Sequence, residues 1–332
     1  MSNVHWLPGH AGAPEWSGVP AVLGRSNMNS TVPSESKFNV YDTVTEKIVE
    51  AIRKGAGTYT MPWHGGGPAI CIPANATTEA PYRGVNILAL WAVAAIEGYE
   101  SGQWASYRQW QSLGAQVRRG ERGSIVVFFK KIEDAEEDEK EEEGERPRLV
   151  ARAYRVFNAA QVDGWEPLPP ARIPEFLAIK EIDAFVQATD ANIRHGAPMA
   201  RYRPEEDFIE MPDRERFIGS ATSTSTETYY SVLLHELTHF SGAPHRLNRQ
   251  FGTRFGDRAY AMEELVAELG AAFLCAALGI ANEPRQDHAA YVASWLEVLD
   301  HDHKAIFTAA SQAQKAVEYL AQLAASNHWR II

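Results

Sequence analysis

His235-Glu236-Leu237-Thr238-His239 is the shortest string in this 332-residue chain that dictates a geometry. It follows Tyr229-Tyr230-Ser231-Val232-Leu233-Leu234, an apolar pattern that predicts a helix. On a helix, residues four apart lie one turn apart on the same face. Both imidazoles can then share an ion such as Zn²⁺, at ~2.0–2.1 Å from each nitrogen. Glu236 is rotated by about 100° from His235, which puts its carboxylate beside the open coordination position instead of on the metal. There it can take a proton from an activated water and later hand it to a leaving amine. The competing reading is an ordinary amphipathic helix that happens to carry two histidines.

A catalytic ion of this kind takes three protein ligands, so a third has to come from elsewhere. His245 is one candidate, because residues 235–245 spell HExxHxxGxxH with Gly242 at the turn, the pattern of metzincin peptidases. The other is a carboxylate on the helix expected over 260–270. There Leu265, Leu269, Ala272 and Phe273 form the apolar stripe, while Glu264, Ala267, Glu268 and Ala271 share a face small enough to pack closely on the HExxH helix. Glu263, Glu264 and Glu268 could equally be a solvated face. No Met-containing turn follows His245, so Glu264 is preferred over His245.

Residues 1–37 are rich in Gly, Pro, Ser and Asn without sustained periodicity and read as a disordered leader or extension. Order is expected from Val40, because Val40, Val44, Ile48 and Ile52 recur every four residues on a helix face that ends at Gly55 and Gly57. A second helix is expected from Val85 to Ile96, and a short helical piece contains Trp110. Ser124 to Phe129 and Leu149 to Phe157 read as paired strands. His64-Gly65-Gly66-Gly67 reads as a flexible loop. The Pro-rich segment Glu166-Pro167-Leu168-Pro169-Pro170 divides a first domain, 38–165, from a second, 166–332. The second opens with a helix after Pro174, carries two short strands near 201–203 and 208–211, and continues with four helices. The fold class is α+β, with a small hairpin and sheet in the first domain and a mostly helical second.

The formal net charge of −11 at first argues against a nucleic-acid partner. Its distribution argues otherwise. Residues 133–145 hold ten acidic residues and one lysine, a net −9, and such a block is expected as a solvated loop between the two strands. Outside it, residues 38–132 and 146–165 hold 14 basic and 8 acidic residues, a net +6, whereas 166–332 hold 15 and 23, a net −8. Cys71 and Cys275 offer neither a disulfide framework nor a CxxC pair. No apolar run approaches the ~18–20 residues of a membrane span, and no export signal is legible, so a soluble cytoplasmic protein with no membrane partner is expected.

The string HELTHFSGAPHRLNRQFGTRFGDRAYAMEELVAELGAAFL, residues 235–274, resembles the C-terminal zincin-like metallopeptidase domain of ArdC-type antirestriction proteins, shared with domains of plasmid conjugation primases. Val44-Thr45-Glu46, Pro81-Tyr82-Arg83-Gly84-Val85-Asn86, the run 114–123 and Val156-Phe157-Asn158-Ala159-Ala160-Gln161 are similar to that family's N-terminal domain, which is associated with single-stranded DNA binding. The resemblance implies a plasmid-encoded protein that protects incoming DNA from host restriction during conjugation. It implies His235, His239 and Glu264 as metal ligands and Glu236 as the catalytic carboxylate. Zn²⁺ is the expected ion, with Mn²⁺ an alternative, and the host restriction machinery is the implied protein partner.

Non-specific single-strand binding needs a cationic track for phosphates and exposed rings for base stacking. Trp63, Tyr82 and Trp110 are expected to be exposed because they adjoin turns or polar residues, whereas Trp91, amid apolar residues, is expected in the core. Arg83, Arg118, Arg119, Arg122 and Lys130 are the expected cations. Two other readings compete: a zinc endopeptidase that cleaves a host protein, and a non-enzymatic decoy in which residues 133–145 imitate phosphates and the zinc is structural.

Overall fold

The computed structural model describes residues 39–56, 61, 63–64, 71–131, 149–166, 175–220, 222–249, 258–282 and 288–326. The expected leader 1–37, the acidic block 133–145 and the Pro-rich residues 167–170 lie outside the described residues.

The first helix, α1 (Val40–Ala56), buries Val44, Ile48 and Ile52, the every-fourth-residue face. After β1 (Ala74–Asn75), α2 runs over Val85–Glu97 and ends at Gly98, whose φ of 73° is the left-handed conformation in which glycine caps a helix cheaply. Every residue from Val85 to Ala92 is buried, so α2 is covered on nearly all sides. Asn86 clamps it to the sheet: its amide donates to Val127 O at 2.8 Å and its Oδ1 accepts from the Val127 N–H at 2.7 Å.

The chain continues through β2 (Gln103–Ala105), α3 (Tyr107–Ser112), β3 (Gln116–Val117), β4 (Ser124–Lys131), β5 (Leu149–Asn158) and β6 (Val162–Asp163). The two strands legible in the sequence form the long antiparallel pair β4–β5, with Val126 opposite Tyr154 and Phe128 opposite Arg152. They extend a four-stranded sheet of order β1-β2-β5-β4, while β3 and β6 make a separate ribbon. The later elements are α4 (Glu175–Ala188), β7 (Ile193–Arg194), β8 (Arg201–Arg203), β9 (Phe208–Glu210), α5 (Ser225–Ser241), α6 (Arg258–Leu278), α7 (His288–His301) and α8 (Ala305–Ser326). The three short strands form a sheet of order β7-β9-β8, which leaves β8 at an edge.

One hydrophobic core joins the two halves of the chain. Ile48, Leu88, Trp91 and Val126 pack with Leu265, Phe273, Trp295 and Ile306, and Trp91 meets Phe273 with ring centroids 5.8 Å apart. A second core lies within the later half, where Phe185, Ile209, Leu234 and Leu237 meet Leu274 and Leu320. The described residues from Asn39 onward fall into a single compact unit.

Candidate metal centre and nucleic-acid face

Helix α5 starts at a capping box in which Thr224 Oγ1 accepts from the Glu227 N–H and Glu227 Oε2 accepts from the Thr224 N–H. It carries His235, Glu236 and His239 into the interior, where all three are buried. Helix α6 packs against it, and Gly270 permits the approach, since a Cβ there would stand 2.5 Å from Thr238 Cγ2. The close packing brings Glu263, Glu264 and Glu268 to the imidazoles, all three buried, so they do not form a solvated face.

His235 Nε2 and His239 Nε2 face each other at 3.1 Å. Glu264 reaches both rings, with Oε2 3.5 Å from His235 Nε2 and Oε1 3.7 Å from His239 Nε2. Two nitrogens held by one tetrahedral ion at ~2.0–2.1 Å stand ~3.3–3.4 Å apart, so the donor set fits a shared divalent cation. Each ring is backed by a second carboxylate. Glu263 Oε1 lies 3.0 Å from His239 Nδ1, which assigns the ring proton to Nδ1 and turns Nε2 inward as an electron-pair donor. Burial opposes the charge on Glu263, but His239 and the Arg249 guanidinium, 2.8 Å away, hold its carboxyl below the usual carboxylate range. Glu268 Oε2 stands 3.7 Å from His235 Nδ1.

Glu236 is oriented separately, with Oε2 accepting from the Tyr202 N–H of β8 at 2.8 Å. The Tyr202 hydroxyl donates to Asp207 Oδ1 at 2.7 Å, and burial together with that carboxylate pushes its pKa up to about 12. Asp207 also takes both amino groups of Arg246, at 2.9 and 2.8 Å. His245 is 61% exposed and faces Asp207 at 3.3 Å, away from the two imidazoles, so it does not complete the HExxHxxGxxH set. After Gly242 the chain folds back through Asn248 N–H to Ala243 O and Arg249 N–H to Gly242 O, which tucks Arg249 inside and leaves His245 outside. Arg249 and His64 are structural residues of this site that no local periodicity marks. Both reach it through turns.

The expected stacking rings are elsewhere. Trp63 and Trp110 are fully buried, and Tyr82 is buried in the joint core. Trp110 donates its indole N–H to Phe157 O at 3.0 Å, and Trp63 points at Glu268, 3.3 Å away. A turn exposes backbone, and these rings fold back under their turns. Arg118 is committed to Glu121 and to the carbonyls of Ala160 and Val162. Arg83 pairs with Glu318 of α8. Arg119, Arg122 and Lys130 are exposed.

The exposed rings that sequence reasoning missed lie on the β4–β5 hairpin. Phe128 is 49% and Tyr154 48% exposed, with centroids 5.5 Å apart and Arg152 directly opposite Phe128. Arg152, Ala153, Tyr154 and Arg155 are all exposed, and the lack of large aliphatic residues among them was the available signal. Beside the hairpin, a cavity of about 870 Å³ is lined by Arg83, Phe128, Phe129, Lys304, Phe307 and Lys315, among others.

Residues 38–157 match the N-terminal domain of the anti-restriction factor ArdC, and residues 180–312 match a zincin-like metallopeptidase family. The metal-free crystal structure of antirestriction protein ArdC from plasmid R388 is similar with a TM-score of 0.71 at 41% identity, over 87% of this chain and 99% of that one. The chain belongs to the ArdC antirestriction family. The Mn(II)-bound structure of R388 ArdC gives a TM-score of 0.68 at 40% identity over the same shares. An uncharacterised relative, y4eC of Sinorhizobium fredii, is 48% identical over 297 residues, 88% of this chain and 95% of that protein. DNA primase TraC of Escherichia coli is 36% identical over 307 residues, and there the ArdC-like region spans only 27% of the primase. No helix among the described residues is long and apolar enough to cross a membrane.

Proposed function

We propose that this ArdC-family chain is a cytoplasmic protein that binds single-stranded DNA non-specifically and protects incoming plasmid DNA from host restriction during conjugation, through a metal-dependent peptidase-like centre. The observation that carries this reading is the convergence of ligand atoms from His235, His239 and Glu264 within 4.8 Å of one another, with Glu236 on the same helix oriented by a backbone N–H. Those three residues would hold Zn²⁺ or Mn²⁺. Such an ion, when bound, would supply Lewis acidity to a water or carbonyl oxygen. Glu236 is the general base that takes the proton of the attacking water and returns it to the leaving amine. The Tyr202 N–H keeps that carboxylate in one orientation through both transfers. On this reading the protein substrate belongs to the host restriction machinery, near which bound DNA would concentrate the centre.

The DNA-binding part draws support from the exposed Phe128–Tyr154 pair, with Arg152 opposite Phe128 and the exposed Lys130 on the same strand, and from the exposed Arg119 and Arg122 in the turn that precedes it. Because Arg118 holds the protein's own carbonyls, the clean test is Arg119→Ala/Arg122→Ala/Lys130→Ala. Its binding to an oligo-dT strand should weaken, with the log–log salt slope reduced by about 0.7 per lost phosphate contact, and protection should fall with it. A variant that no longer binds the strand yet protects fully would refute the tethering role.

A further inference from the structure

The two carboxylates that back the metal-site imidazoles are held by residues from different halves of the chain. Glu263, behind His239, is gripped by Arg249, which belongs to the same later half of the chain. Glu268, behind His235, is gripped by two residues of the first half. His64 Nε2 lies 2.6 Å from its Oε1, and the Trp63 indole N–H donates to the same oxygen at 3.3 Å.

The tautomer of His64 follows from its other nitrogen. The Met61 N–H donates to His64 Nδ1 at 3.0 Å, so the ring proton sits on Nε2 and is donated to Glu268. The turn is itself fixed. The His64 N–H donates to Met61 O at 2.9 Å, and Trp63 O accepts from Asn282 Nδ2 at 3.1 Å. Asn282 Oδ1 in turn accepts from Ser231 Oγ of α5 at 2.9 Å, one turn before His235. His64 itself is held in the interior, its side chain 1% exposed against 5% for Glu268, while Gly65, Gly66 and Gly67 lie outside the described residues.

We propose that His64 and Trp63 are positioning residues for the metal centre, acting through Glu268 on His235. Glu268 Oε1 is occupied by the first-half donors while Oε2 faces His235 Nδ1 at 3.7 Å, so the two donors set the angle at which the carboxylate meets the imidazole. Carboxylates of this kind fix the ring's tautomer and orientation and raise its basicity toward a metal, and losing them costs 10–100-fold in affinity. A metal centre whose ligands all come from the later half thus depends on the first half for its affinity.

The test is metal affinity in the full chain, read by competition of Zn²⁺ and of Mn²⁺ against a chromophoric chelator, with circular dichroism as the check on folding. His64→Leu should weaken binding by about 10–100-fold. His64→Gln, whose amide N–H₂ can still donate to Glu268, should recover most of that loss. Wild-type affinity in folded His64→Leu, or no recovery in His64→Gln, would overturn the proposal. Trp63→Phe keeps an aromatic ring and removes the indole N–H donor, and it decides the matter should His64→Leu fail to fold. A smaller loss in the same direction supports the role, and unchanged affinity refutes it.

Discussion

The metal centre and the hairpin face are built on opposite principles. At the centre, the polar side chains are buried and tied to named partners, and Arg249 alone meets Glu263, Thr238 and Ser241. On the hairpin, Phe128 and Tyr154 meet edge to face, each about half exposed, beside the exposed Arg152 and Lys130. The first arrangement is over-determined and resists change, as a site that must hold fixed geometry does. The second gives up intramolecular contacts and keeps its rings available, which stacking on a strand requires. Substitutions should therefore separate the regions: changes at the interior register in folding or metal affinity, and changes on the hairpin register in DNA binding.

The largest effect is expected at Trp110, a ring whose turn suggests the DNA face and which lies fully buried. Trp110→Ala should cost about 3–5 kcal/mol of unfolding free energy by denaturant titration. Next comes Gly270→Ala, in which the new methyl group presses Thr238 of the HExxH helix. It should lose about 1–3 kcal/mol and weaken metal binding, because α5 and α6 must part. Phe128→Ala, in contrast, should change stability by less than about 0.5 kcal/mol and weaken oligo-dT binding by about 1–3 kcal/mol. A stable Trp110→Ala, or a Phe128→Ala that unfolds, would erase the distinction between the two regions.

The smallest effect concerns the rim that holds Glu236. Hydrogen bonds from Arg246 place the Asp207 carboxyl below its ordinary value of 3.8. A lowered pKa stabilises the fold fully above that ordinary value, and the contribution is lost as the pH falls through the folded pKa. The melting temperature should accordingly drop below pH 3.8, and Asp207→Asn should flatten that part of the acid limb.

How much of this was legible in the sequence follows from the same contrast. The i, i+4 histidines and the four-residue repeat of α1 are properties of one helix, so spacing alone placed them. Glu264 was legible because small residues on its face, Ala267 and Ala271, signalled a close helix pair, and both are buried against it. The burial of Trp63, Tyr82 and Trp110 was not legible, since it depends on which way a ring leaves a turn. Nor was the link from His64 to Glu268, which joins residues 204 positions apart. The joint core had only one sign, an α2 too apolar to be half exposed, and nothing in the string named α6 and α8 as its cover.

The central claim is that Glu236 does chemistry at a metal centre on which protection depends. Glu236→Gln keeps the side chain's size and leaves His235, His239 and Glu264 in place, so it separates hydrolysis from metal binding. Wild type and variant should be compared in a restriction-protection assay during plasmid transfer, with bound metal quantified in both. The expected result is loss of protection at unchanged metal content and unchanged single-strand binding. Full protection by the metal-loaded variant would contradict it.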